Sequence, residues 1–270
     1  MRKEGISMTY HPDAPVAVLD SGLGGLTVLT ELVRLMPEEN YIYYGDAAQA
    51  PYGEKTTEQV RALTLDRAKL LMEDCQSKAL VVACNTATSA AIQQLRQIYP
   101  DRPVIGMEPA LKPAALSGYH PKILVLATPV TLRESKFRSL LDSYAGQAEI
   151  ICLPCPGLVE MIENGVLEGP ELDALLSDLL QGAINPPPDG VVLGCTHYPL
   201  IERSIRAAIG SPVEIFQGGP GTARETRRRL EEQGLRRTSG PGQITFQTSA
   251  TDPEWIRRAQ RIFEDALAEG

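Results

Sequence analysis

Leu80-Val81-Val82-Ala83-Cys84-Asn85-Thr86 reads as four apolar residues, a cysteine and then polar side chains that open a helix. Val191-Val192-Leu193-Gly194-Cys195-Thr196-His197 repeats that pattern one small domain further along. An apolar run without polar alternation suits a strand covered on both faces, as in a parallel sheet. The neighbouring sequence supports this. Strands are expected at Val16–Asp20, Tyr41–Tyr44, Leu80–Cys84, Val104–Gly106, Ile123–Ala127, Glu149–Cys152, Val191–Cys195, Val213–Phe216 and Ile244–Thr248. Helical patterns at Leu26–Met36, Thr57–Asp74, Thr88–Ile98, Thr131–Tyr144, Glu171–Gly182, Leu200–Ile209, Ala223–Gln233 and Pro253–Leu267 alternate with them. Strand and helix in turn imply parallel sheets with right-handed crossovers, an α/β architecture.

Composition narrows the classes of function. Apolar residues at 43% and charged residues at 22% are the balance of a chain that buries a core. The net charge of −8 and the absence of a basic stripe interleaved with aromatics argue against a nucleic-acid partner. No apolar run approaches the roughly 20 residues of a membrane span, so no membrane partner is expected. No stretch has the pattern of a signal peptide, and a cytoplasmic protein is expected. The five cysteines, Cys75, Cys84, Cys152, Cys155 and Cys195, are too sparse for a disulfide framework. Cys152-Leu153-Pro154-Cys155 has redox spacing but ends a late strand and lacks further ligands for zinc, so both thiols read as packing or loop structure.

The chemistry-bearing segments fall at strand ends, where open α/β sheets place their ligands. Asp20-Ser21-Gly22-Leu23-Gly24-Gly25 follows a strand and opens a helix, without the third fingerprint glycine or a Walker lysine. It reads equally as a tight capped turn or as an anion site. Gly45-Asp46 and Pro51-Tyr52-Gly53 form a second such loop. Cys84 and Cys195 each stand where a strand ends and a helix begins, a setting that lowers a thiol pKa. His197 is placed to exchange a proton with Cys195, and Asp20 could do the same for Cys84 if the loops converge.

At these segments the chain strongly resembles the glutamate racemases of the aspartate/glutamate racemase family. The resemblance is carried by Asp20-Ser21-Gly22-Leu23-Gly24-Gly25-Leu26, Gly45-Asp46 with Pro51-Tyr52-Gly53, Cys84-Asn85-Thr86-Ala87, and Leu193-Gly194-Cys195-Thr196-His197-Tyr198-Pro199-Leu200. Gly106-Met107-Glu108-Pro109-Ala110 and Leu126-Ala127-Thr128 are further landmarks. It implies two pseudo-symmetric domains, each a mainly parallel sheet flanked by helices, with the active site in the cleft between them. The expected boundaries are 14–109 plus 213–270 for the first domain and 110–212 for the second, after a loose tail at 1–13.

The chemistry implied is cofactor-independent interconversion of L- and D-glutamate, which supplies D-glutamate for peptidoglycan. Cys84 would act on the D-enantiomer and Cys195 on the L-enantiomer, with roles of base and acid that swap with handedness. Asp20 and His197 would assist the thiols. Ser21, Tyr52, Gly53, Asn85, Thr86 and Thr196, with Asp20 and His197, would hold the substrate, and Glu160 would stand behind the second cysteine. No pyridoxal phosphate, metal or flavin is implied, and a homodimer is. After Phe216 the chain departs from the family's Asp-Ser and reads Gln217-Gly218-Gly219-Pro220-Gly221. The competing readings are an aspartate or hydantoin racemase, a hydrolase using Cys195 with His197, and a non-catalytic anion-binding module.

Overall fold

The computed structural model describes residues 11–268. Among the described residues there are nine strands: β1 Val16–Asp20, β2 Tyr41–Gly45, β3 Ala79–Val82, β4 Val104–Gly106, β5 Lys122–Ala127, β6 Glu149–Pro154, β7 Gly190–Leu193, β8 Glu214–Gln217 and β9 Ile244–Thr248. They form two sheets, β4-β3-β1-β2-β9 and β6-β5-β7-β8, and every pairing is parallel. The central strands β1, β3 and β7 are buried at every residue, because helices cover both faces of each sheet.

The principal helices are α1 Leu26–Leu35, α2 Thr57–Lys69, α3 Asn85–Ile98, α4 Leu111–Ala115, α5 Pro129–Arg133, α6 Ser135–Asp142, α7 Leu158–Glu163, α8 Pro170–Leu180, α9 Glu202–Ile209, α10 Gly219–Glu232 and α11 Glu254–Ala268. α1, α10 and α11 bury Leu26, Leu29, Leu230, Trp255 and Phe263 on one face of the first sheet. On the other face α2 and α3 bury Val60, Ala68, Ile92 and Leu95. α8 repeats leucine every fourth residue, and Leu172, Leu176 and Leu180 line one helical stripe against the second sheet.

Three expectations are corrected. β8 pairs with β7, so the chain leaves the second sheet after Gln217 and not at 213. Only then do α10 and β9 rejoin the first half, where β9 pairs with β2. The tail expected at 1–13 lies outside the described residues over 1–10. His11–Asp13 are tied down, since Lys78 Nζ donates to the Pro12 carbonyl and Arg237 Nε to Asp13 Oδ1 at 2.9 Å. The helix expected at Thr131–Tyr144 breaks where Glu134 is extended, at ψ 137°, and accepts the Thr57 hydroxyl from the other half.

Candidate active site

The carboxyl ends of β1 and β3 face those of β5 and β7, and side chains cross between them. β1 ends in Asp20, which is 1% exposed. Its Oδ1 accepts the Gly22 N–H at 3.0 Å, and its Oδ2 accepts the Thr196 hydroxyl of the opposite half at 3.2 Å. Burial raises the Asp20 carboxyl, and His197 and the N–H groups of Gly22 and Gly25 draw it back only in part. The glycine turn that follows is explained by close approach of the two halves. A Cβ on Gly24 would lie 2.6 Å from Thr196 Oγ1 and 2.7 Å from His197 Cγ, and one on Gly22 would strike the Glu163 carboxylate. Tyr43 pins the turn by donating its hydroxyl to the Gly22 carbonyl at 2.6 Å.

Cys84 caps α3, and its sulfur accepts the Ala87 N–H at 3.5 Å. The thiol lies 3.8 Å from Ser21 Oγ. The helix start was expected to lower this thiol; instead burial, reinforced by the Asp20 charge, pushes it up to about 12. Cys84 rests as a thiol. The charge of Cys195 contributes to the same rise, so the two sulfurs share one electrostatic environment.

Asn85 is 3% exposed, and among the described residues neither of its amide atoms has a hydrogen-bond partner. An amide buried so costs about 1–3 kcal/mol, a cost a bound ligand would remove. Beside it Thr86, Thr128 and Thr131 join their hydroxyls in a buried triangle, with oxygen separations of 3.0–3.2 Å. Thr86 comes from the first half, while Thr128 caps α5 in the second. Tyr52 is buried and spends its hydroxyl on Asp46, so the Tyr52-Gly53 segment offers its backbone, set against Thr128.

On the opposite wall, Gly194-Cys195 leaves β7 as Ala83-Cys84 leaves β3. Cys195 Sγ lies 3.7 Å from His197 Nδ1. His197 is 1% exposed; its Nε2 is 2.5 Å from Glu163 Oε1 and 3.2 Å from the Gly24 nitrogen. Burial draws the imidazole pKa down, yet the hydrogen bonds to Cys195 and Glu163 and their charges outweigh it and hold His197 well above its ordinary value. Burial likewise raises Glu163, but His197 and the Leu23 N–H, 2.6 Å away, hold the carboxylate below its usual range.

The carboxylate bonded to His197 is Glu163, three residues beyond the Glu160 expected behind the second cysteine. Both lie on α7; burial, with Glu54 of the first half nearby, raises the Glu160 carboxyl, and its Oε1 has no hydrogen-bond partner among the described residues. Thr128, Thr131 and Glu163 were absent from the expected site residues. Asp20, Ser21, Tyr52, Gly53, Cys84, Asn85, Thr86, Cys195, Thr196 and His197 all line or adjoin the junction. Among the described residues no group of three or more His, Cys, Asp or Glu side chains is placed to hold a metal ion.

The His197–Glu163 pair lies within the second half and meets the glycine turn of the first through the Leu23 and Gly24 N–H groups, and it has a defined pH dependence. The imidazole pKa is raised by folding, so its stabilisation is full below the ordinary histidine value and is lost as pH rises through the raised one. The Glu163 pKa is lowered, so its share is present above the ordinary glutamate value and is lost as pH falls through the lowered one. Glu163→Gln is expected to lose about 3 kcal/mol at neutral pH, because it strands a buried charge. Urea unfolding across pH should show the deficit shrinking in acid; an equal deficit at every pH would contradict the pairing.

The Asp/Glu/Hydantoin racemase family model matches residues 23–226. The chain belongs to this family. It is accordingly an isomerase. Among racemases of the family, the chain is 46% identical over 253 residues to the glutamate racemase of Clostridium botulinum (strain Alaska E43 / Type E3), covering 93% of this chain and 98% of that one. The Escherichia coli glutamate racemase, solved with L-glutamate and the activator UDP-MurNAc-ala, superposes with a TM-score of 0.82 at 30% identity, over 93% and 95% of the two chains. The Francisella tularensis racemase, solved with D-glutamate, gives 0.80 at 27% identity over 95% and 94%. Among the described residues no helix is long and apolar enough to cross a membrane.

Proposed function

We propose that this racemase interconverts L- and D-glutamate without a cofactor, by proton transfer between two cysteines and the α-carbon. The observation that carries this reading is the matched placement of Cys84 and Cys195, at equivalent strand ends of two opposed sheets and in one buried polar space. For L-glutamate, the Cys195 thiolate takes the α-proton and the Cys84 thiol delivers its own to the opposite face. For D-glutamate the roles exchange. Each turnover leaves the two sulfurs with their protonation states swapped, and proton exchange with His197 and solvent restores them. His197 Nδ1 stands 3.7 Å from Cys195 Sγ, in position to take the proton that Cys195 has gained from L-glutamate or to return one after D-glutamate has reacted.

The ends of the substrate are assigned by chemistry. Asp20 and Ser21 suit the ammonium group. The unpaired Asn85 amide, with Thr86 and Thr196, suits the α-carboxylate, where negative charge grows as the proton leaves. The Tyr52-Gly53 backbone and the Thr128 and Thr131 hydroxyls suit the side-chain carboxylate. Glu163 positions His197. Closure of the halves excludes water from the charged transition state. The D-glutamate would serve peptidoglycan synthesis in the cytoplasm, and the expected assembly is a homodimer.

After dialysis against EDTA and with no cofactor added, the circular dichroism of L-glutamate should decay to zero. Aspartate, one methylene shorter, should react about tenfold or more slowly, since such a difference is worth about 1–3 kcal/mol. A glutamate signal that does not decay would refute the proposal.

A further inference from the structure

Behind the Tyr52-Gly53 segment lies a buried chain of charge that reaches helix α2. Asp46 follows β2 and is fully buried. Its backbone N–H donates to the Asp20 carbonyl at 3.0 Å, which fixes it to the strand that carries the first acid. Its Oδ2 accepts the Tyr52 hydroxyl at 2.6 Å. Its Oδ1 faces Arg67 Nε of α2 at 3.3 Å, within ion-pair distance but out of hydrogen-bond alignment. The guanidinium also lies 5.9 Å from the centre of the Tyr44 ring, and its outer nitrogen meets Asp66 Oδ2 at 3.2 Å. The Arg67 side chain is only one-quarter exposed, so solvent screens the contact with Asp46 weakly.

A carboxylate with no solvent exposure needs a compensating cation, or it either takes up a proton or opens its surroundings. Among the described residues Arg67 is the cation in ion-pair contact with Asp46. We infer that Arg67 is a positioning residue that acts through Asp46 and Tyr52: it holds the Asp46 side chain inside and against the Tyr52 hydroxyl, so that the Tyr52-Gly53 backbone stays pressed against Thr128 and ready for the side-chain carboxylate of the substrate. The inference rests on the glutamate reading for the identity of that carboxylate. It assigns Arg67 a part in affinity and none in proton transfer, because the guanidinium meets Asp46, Asp66 and Tyr44 and reaches the site only through Asp46 and Tyr52.

The experiment compares Arg67→Met, which removes the charge and keeps the bulk, with Arg67→Lys, which keeps the charge. Steady-state racemisation of L-glutamate by Arg67→Met should show KM raised about tenfold with kcat within twofold of the parent, and Arg67→Lys should recover most of the affinity. Should Arg67→Met not fold, Arg67→Gln enters the same comparison. An unchanged KM would overturn the inference. So would a fall in kcat matching a loss of folded protein and shared equally by Arg67→Lys, since that pattern marks a merely structural arginine. Failure of the glutamate reading itself is seen separately, as an inactive parent protein.

Discussion

Cys84→Ala and Cys195→Ala should each lower kcat/KM for glutamate racemisation by about 10²–10⁴, the span supplied by a positioned acid or base. The two enantiomers have equal free energy, so each variant must lose the same factor in both directions, whichever face its sulfur served. Folding should survive, because both side chains are small and stand just past the carboxyl end of a strand, at the cleft margin of the buried clusters. The comparison separates this enzyme from a hydrolase built on Cys195 and His197, which would need only one thiol. Cys152→Ala is the control. Cys152 is half-buried on β6, the edge strand of the second sheet, and its loss should leave the rate unchanged. Polarimetry on the three purified variants is the measurement, and full activity in Cys84→Ala would contradict the proposal.

Gly24→Ala should cost about 10²-fold in kcat/KM, although the residue carries no chemistry of its own. The added methyl would stand 2.6 Å from Thr196 Oγ1 and 2.7 Å from His197 Cγ, nearer than any real Cβ approaches. Neither neighbour can swing into solvent, since Thr196 and His197 are each 1% exposed. The wall that carries Cys195 must therefore move back from the wall that carries Cys84. A displacement of about 1 Å is enough for a loss of this size. Backbone strain adds nothing, because Gly24 has no left-handed φ. Gly118→Ala, with nothing within 4 Å of its new methyl, is the neutral comparison. Equal kinetics in the two variants would show that the halves do not need to meet at Gly24.

Most of the fold was legible because apolar runs such as Val16–Leu19 and Val191–Leu193 have no polar face to present, and only a doubly covered parallel strand suits them. What escaped the sequence depends on partners distant along the chain. β8 is a short strand whose choice of sheet is set by β7 and by nothing in its own residues. α7 is six residues long, too short for helical periodicity to register, and its start follows Gly157, whose left-handed backbone (φ 79°) ends the preceding segment.

The same limit governed the site. Glu160 and Glu163 sit one turn apart on α7, and only the position of the glycine turn in the other half decides which of them meets His197. Thr128 stood out only within the Leu126-Ala127-Thr128 landmark, three residues before the expected helix; that it caps α5 and that its hydroxyl joins Thr86 across the cleft are visible only in three dimensions. The Cys84 thiol was expected low from its helix terminus. One long N–H contact at 3.5 Å cannot offset burial beside Asp20.

Two sulfurs working from opposite faces of one carbon are tested most directly by the destination of solvent hydrogen. L-glutamate should be incubated in D₂O and sampled within the first few per cent of conversion, with the enantiomers separated and the α-position of each read by NMR. Delivery from a second thiol predicts D-glutamate carrying deuterium from its first appearance, while the remaining L-glutamate keeps its hydrogen. D-glutamate that retains the original α-hydrogen, or deuterium entering L-glutamate as fast as D-glutamate forms, would mean that a single group serves both faces.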